Sequence, residues 1–138
     1  NFDEPFDTSK VVRPRTSDLL NPVKTTDGTK YVWCTFSKDQ VDYNFSNPVV
    51  LFEFVQIIIF YLAKGITVFR FDAVAFIWKK IGTSCINLEK THEIIRLFRT
   101  IIDYLSPYTV LVTETNTPAA ENVSYFGNGN EAHWIYNF

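Results

Sequence analysis

The sequence predicts an α/β fold, a parallel sheet whose strands are joined by helical crossovers. From residue 48 onward the chain reads helix, strand, helix, strand, loop, strand, the alternation of a parallel sheet. Each of the two helix-period segments is followed by a short β-branched or aromatic run. At 138 residues, 46% of them hydrophobic and 17% aromatic, the chain can build one globular unit of ordinary size.

Residues 1–47 read as irregular and polar, punctuated by Pro5, Pro14, Pro22 and Asp27-Gly28, with one strand-like patch over 31–36. Asn47-Pro48 is a helix start, an N-cap followed by proline at the first helical position. That helix should run to Lys64, where Gly65 stops it, and its few polar residues (Glu53, Gln56, Lys64) predict a mostly buried surface. A strand over 66–72 follows, then a loop holding Gly82-Thr83-Ser84-Cys85. A second helix over 88–105 carries Ile94, Leu97, Phe98, Ile101 and Leu105 at helical spacing, and Pro107 ends it. The next strand, 109–114, puts Val110, Val112 and Glu114 on one face. A third begins near Ala132, after Gly127-Asn128-Gly129-Asn130, and continues through Ile135-Tyr136-Asn137-Phe138. The crossovers should be right-handed. The expected division is an irregular segment over 1–47 and an α/β segment over 48–138.

The chemistry concentrates in Phe69-Arg70-Phe71-Asp72, where two charges interrupt a run that otherwise suits a buried strand. Side chains alternate along a strand, so Arg70 and Asp72 share one face and Phe69 and Phe71 the other. Ionised groups on a buried strand cost several kcal/mol unless paired or used. Asp72 and Glu114 each end a strand, and one helical crossover separates them, so they should lie on adjacent parallel strands. Such strands are about 4.8 Å apart, which allows carboxyl groups about 5–5.5 Å apart, the separation used by retaining glycosidases. Asp72, beside Arg70, would stay ionised as a nucleophile, while Glu114, less compensated, could keep a proton and act as general acid. Periodicity equally allows a plain Arg70–Asp72 ion pair with Glu114 at a solvent-facing strand end.

The remaining composition narrows the classes. A net charge of −2 and a pI near 5.6 give no reason to expect nucleic acid or an anionic membrane surface. The longest apolar run, 49–63, is broken by Glu53 and Gln56 and is too short to span a bilayer. Cys34 and Cys85 read as free buried thiols of a reducing compartment, so a cytoplasmic location is expected. Asn44-Phe45-Ser46 and Asn122-Val123-Ser124 match the glycosylation pattern, which arises often by chance. With no methionine and a strand-like end, the chain reads as a piece of a longer polypeptide.

Several blocks in order carry a family resemblance. Phe69-Arg70-Phe71-Asp72-Ala73-Val74 resembles the nucleophile-bearing strand of the α-amylase superfamily of glycoside hydrolases and transglycosylases, and Thr113-Glu114-Thr115-Asn116 resembles its acid/base strand. Trp33-Cys34-Thr35-Phe36-Ser37-Lys38-Asp39-Gln40-Val41-Asp42, Gly82-Thr83-Ser84-Cys85 with Lys90-Thr91-His92, and Glu121-Asn122-Val123-Ser124-Tyr125-Phe126-Gly127 resemble segments of the sucrose phosphorylase-like branch. The resemblance covers about residues 13–138 and implies the central part of a (β/α)8 barrel, a partial TIM barrel, preceded by a B-domain-like segment. It implies a two-step displacement on an α-glucoside such as sucrose, with Asp72 as nucleophile, Glu114 as acid/base, Arg70 holding Asp72, and inorganic phosphate as acceptor. Arg13-Pro14-Arg15 resembles a segment that brings an arginine near the phosphate or leaving-group subsite; a solvated basic turn is the plain alternative for Arg13 and for Arg15. No cofactor or metal is implied. His92 reads as a polar residue near a helix N-terminus and His133 as structural.

Two departures stand out. The family's histidine after the proline that follows the acid/base is replaced, since Pro118 precedes Ala119. The superfamily's third carboxylate and its substrate-binding histidines lie on strands outside this chain, so barrel strands are expected before Asn1 and after Phe138, one ending in His-Asp. The segment alone should then be inactive. The competing readings are a glucosidase or sucrose hydrolase that uses water, and a non-catalytic fragment that self-associates through its exposed sheet edges. Fructose, a fructose phosphate, glycerate and glycerol all remain open as leaving groups.

Overall fold

The computed structural model describes residues 1–136; the expected strand residues Asn137 and Phe138 lie outside them. The chain forms two compact units, one from residues 1–44 with 80–85, the other from 45–79 with 86–138.

The first unit is more ordered than its composition suggests. Strands β1 (Leu20–Thr25) and β2 (Gly28–Trp33) form an antiparallel hairpin in register from Leu20 opposite Trp33 to Thr25 opposite Gly28. The Asp27-Gly28 signal is its turn: Gly28 takes φ +110°, open to glycine alone at little cost, and Thr25 Oγ1 donates to the Gly28 carbonyl at 2.8 Å. An irregular 1–47 is therefore corrected. Pro22 and the polar stretch around it hid β1, because a proline is tolerated on an edge strand but reads as a breaker. Leu19, Trp33 and Cys85 are buried together, with Phe2, Phe6, Val11 and Leu20 packed against them. Cys34 is also buried and unbridged, and desolvation, then the Asp42 carboxylate, pushes its thiol above the ordinary range.

In the second unit, helix α1 (Pro48–Ala63) begins as its caps dictate, with Asn47 Oδ1 accepting from the Val49 N–H at 3.0 Å. Its burial differs from expectation. Ile58 is its one buried residue, and Val49, Phe52, Ile57, Phe60 and Tyr61 are exposed. A helix apolar all round needs cover on every side, and the described residues cover a single stripe. Helix α2 (Glu89–Leu105) is sharply two-faced, burying Thr91, Ile94, Ile95, Phe98 and Ile102. Leu97 and Leu105, expected on the buried stripe, are exposed, so the stripe is rotated by about one position.

Strands β3 (Val68–Phe71), β4 (Val110–Thr113) and β5 (Trp134–Ile135) form a parallel sheet in that order. β3 and β4 are aligned from Val68 opposite Val110 to Phe71 opposite Thr113, with α2 as the crossover between them. Phe71 meets Phe98 of α2 edge to face at 5.4 Å, which fixes the Phe69/Phe71 face toward the helix and leaves Arg70 on the other. Beyond β4 a short helix, α3 (Ala119–Val123), and a 3-10 turn (Ser124–Phe126) fill a stretch with no sequence periodicity. No described helix is long and apolar enough to cross a membrane.

Candidate active site

Asp72 and Glu114 follow directly on the last paired rung of their strands, Phe71 and Thr113. The backbone ties the two ends together: the Glu114 N–H donates to the Phe71 carbonyl at 2.9 Å, and the Val74 N–H donates to the Glu114 carbonyl at 3.0 Å. Ala73 then takes φ +51° and Asn116 φ +56°. A left-handed alanine costs about 1–2 kcal/mol, and such strain persists where surrounding contacts over-determine it. The 3-10 turn Val74–Phe76, wholly buried, supplies that constraint immediately after Asp72.

Arg70 joins the two carboxylates. Its Nη2 is 3.7 Å from Asp72 Oδ1 and pairs with Glu114 Oε2. An ion pair spans at most about 4 Å, so two oxygens that share one nitrogen lie within about 8 Å of each other on the same side of the sheet. The Glu114 side chain is 8% exposed, that of Arg70 49% and that of Asp72 72%. The expectation that Arg70 serves Asp72 and leaves Glu114 less compensated is thus corrected. The buried acid takes the closer share of the cation, because register brings residue 114 beside residues 70–72 while Asp72 turns outward past the strand end. The Arg70 guanidinium also lies 5.7 Å over the Tyr136 ring. A cleft of about 420 Å³ lined by Phe54, Ile58, Phe69, Phe71 and Phe98 has Arg70 and Asp72 as its charged lining residues.

Arg13 and Arg15 belong to the first unit. Arg13 is half-buried, with Nε and Nη2 making no hydrogen bond, and Arg15 is exposed with a weak 3.4 Å contact to the Pro14 carbonyl. His92 does more than sit near a helix start: it stacks on Tyr125 at 4.4 Å, and its Nδ1 is 2.7 Å from Oε2 of the buried Glu131. Arg96 donates to the other Glu131 oxygen at 2.9 Å, and Tyr125 donates to Asn87 Oδ1 at 2.8 Å. Burial, then the Glu131 and Glu121 carboxylates, pushes the Tyr125 phenol well up, so it remains a donor. His133 accepts the Leu111 N–H at Nδ1 (3.0 Å), with Asp103 3.6 Å from its Nε2. Desolvation, then Arg99, lowers its affinity for a proton, and Asp103 opposes them. Asn87, Asn122, Tyr125 and Glu131 carried no periodic or charge-pair signal in the sequence; Asn122 and Tyr125 fell inside the family-like block 121–127, with no role attached to either.

A parallel sheet with charged side chains gathered at the carboxyl ends of its strands has the layout of an α/β enzyme site. The family model for the alpha-amylase catalytic domain matches residues 23–138. The chain belongs to that family. It is 51% identical over 138 residues to glucosylglycerate phosphorylase of Escherichia coli, covering 99% of this chain and 25% of that protein. The enzyme of the same name from Allomeiothermus silvanus is 50% identical over 133 residues, covering 96% of this chain and 24% of its own. Among solved structures, sucrose 6F-phosphate phosphorylase from Thermoanaerobacter thermosaccharolyticum superposes with a TM-score of 0.80 at 24% identity, over 97% of this chain and 28% of that one. The chain therefore spans about a quarter of the length of these relatives.

Proposed function

We propose that the full-length protein carrying this chain is a retaining α-glucosyl phosphorylase, and that this segment is the central part of its (β/α)8 barrel. The observation that carries the reading is one arginine shared by two carboxylates at the ends of adjacent parallel strands. The Asp72 carboxylate attacks the anomeric carbon, the bond to the leaving oxygen breaks, and the Glu114 proton passes to that oxygen. A phosphate oxygen then attacks the same carbon, the bond to Asp72 breaks, and Glu114 accepts the phosphate proton or its hydrogen bond, giving α-glucose 1-phosphate. Because Arg70 holds Glu114 in the resting site, its guanidinium must shift toward Asp72 for Glu114 to carry a proton. The 3.7 Å gap to Asp72 is short enough for a side-chain rotation. Arg13 or Arg15 is proposed to contact phosphate or the leaving group.

The names of the relatives favour glycerate as leaving group, so α-glucosylglycerate is the proposed substrate ahead of sucrose. The test incubates the full-length protein with either glucoside and inorganic phosphate and follows glucose 1-phosphate. Phosphate-dependent release from glucosylglycerate is the expected result. Free glucose formed at the same rate without phosphate would make the protein a hydrolase.

A second reading concerns the segment by itself. Among the described residues β3 pairs with β4 alone, and α1 exposes Phe52 and Phe60, so the isolated chain is proposed to be inactive and to self-associate. A clean monomer by light scattering at micromolar concentration counts against that.

A further inference from the structure

The stretch between Glu114 and β5 holds a buried amide that the mechanism above does not use. Asn122, on α3, is 5% exposed. Its Oδ1 accepts the Thr115 hydroxyl at 2.7 Å, and its Nδ2 donates to the Tyr136 carbonyl at 3.1 Å. The partners dictate this orientation, since a backbone carbonyl can only accept, which leaves the amide oxygen for the hydroxyl. Both ends of the side chain are committed and buried, which removes Asn122-Val123-Ser124 as a surface glycan acceptor.

What the amide holds is the surroundings of Glu114. Thr115 is the next residue along and is fully buried, and Thr117 Oγ1 donates a further bond to its hydroxyl at 3.1 Å. Tyr136, the residue after β5, is anchored to the end of β4, its N–H donating to the Thr113 carbonyl at 2.8 Å, while its ring lies against Arg70. Arg70 meets Glu114 and Asp72. The contacts close a circuit: Glu114, Thr115, Asn122, Tyr136, Arg70 and back to Glu114.

We propose that Asn122 is a positioning residue for Glu114, fixing the peptide that follows the acid/base and the aromatic ring against which its arginine partner rests. The inference rests on the reading of Glu114 as the acid/base, and the test separates the two. In the full-length protein, Asn122→Asp keeps the acceptor for Thr115 and turns an acceptor toward the Tyr136 carbonyl. Thr115→Val keeps the shape of the side chain and removes the hydroxyl. Each variant is assayed with inorganic phosphate on α-glucosylglycerate, whose leaving oxygen needs a proton, and on α-glucosyl fluoride, whose fluoride departs without one. Misplacing a catalytic group by about 1 Å can cost about 100-fold, so kcat/KM on the glycerate substrate should fall by about that factor. On the fluoride, kcat/KM, which reports formation of the glucosyl-enzyme and not the later attack by phosphate, should stay within a few-fold.

A merely structural role would lower both substrates together, and that result, or no change on either, overturns the proposal. Glu114→Gln is the reference. If it lacks the leaving-group split, the acid/base reading itself fails. If it shows the split and the Asn122 and Thr115 variants do not, only the positioning role falls. Should Asn122→Asp not fold, Thr115→Val decides.

Discussion

Removing the cation from the Arg70–Glu114 pair should be more damaging than removing both charges. Methionine at position 70 keeps an unbranched side chain beside Tyr136 and leaves a carboxylate 8% exposed without its partner. Breaking a fully buried pair from one side costs about 3–5 kcal/mol. Here the Arg70 side chain is 49% exposed, so water screens part of the interaction, and about 2 kcal/mol is expected for Arg70→Met. Glu114→Gln leaves its cation half in water and should cost under about 1 kcal/mol. In the double variant the stranded charge is gone, so most of the Arg70→Met loss returns, a coupling of about 1–2 kcal/mol. The four proteins are compared by denaturant midpoint under one condition, using differences only, because unfolding need not be two-state. Equal destabilisation of the single Arg70→Met and the double variant would refute the shared-cation geometry.

Other outcomes follow from the same structure. On the mechanism proposed above, Asp72→Asn in the full-length protein should abolish glucosyl transfer, a loss beyond about 1,000-fold in kcat. In this segment, where the side chain is 72% exposed, the same substitution should change stability by no more than about 0.5 kcal/mol. Gly127→Ala should destabilise by more than about 1 kcal/mol, since φ is +56° and a Cβ would lie 2.6 Å from Asn130 Oδ1 and 2.9 Å from Glu131 Oε1. His133 titrates below its ordinary value of 6.5 because of desolvation and Arg99. Its contribution is therefore present above that value and lost as pH falls through the lowered one, when the ring nitrogen can no longer accept the Leu111 N–H. A fall in denaturant midpoint between pH 7.5 and 5.5, worth under about 1 kcal/mol, should be absent in His133→Asn.

The sequence was most legible where local chemistry decides. Asn47-Pro48 and Gly65 encode the ends of α1, and the crossover order of β3, α2 and β4 follows from periodicity alone. It misled where burial depends on partners. Nothing in Val49 to Tyr61 says how much of the helix the described residues cover, and the proline in β1 reads as a breaker although an edge strand tolerates a residue without an N–H. At the candidate site the i, i+2 spacing correctly put Arg70 and Asp72 on one face, yet pairing across strands gave the nearer partner to Glu114. Asn122 stood in the sequence only as part of a family-like block and a glycosylation pattern; its role lies in two contacts, 7 and 14 residues away, that no spacing rule encodes.

The alanine after Asp72 has a consequence for the carboxyl it follows. Glycine at that left-handed position would relieve strain but open a wide range of backbone angles to the strand terminus. The methyl group confines the backbone there, so the chain forgoes a little folding free energy and in return the Asp72 carboxylate sweeps a narrower cone.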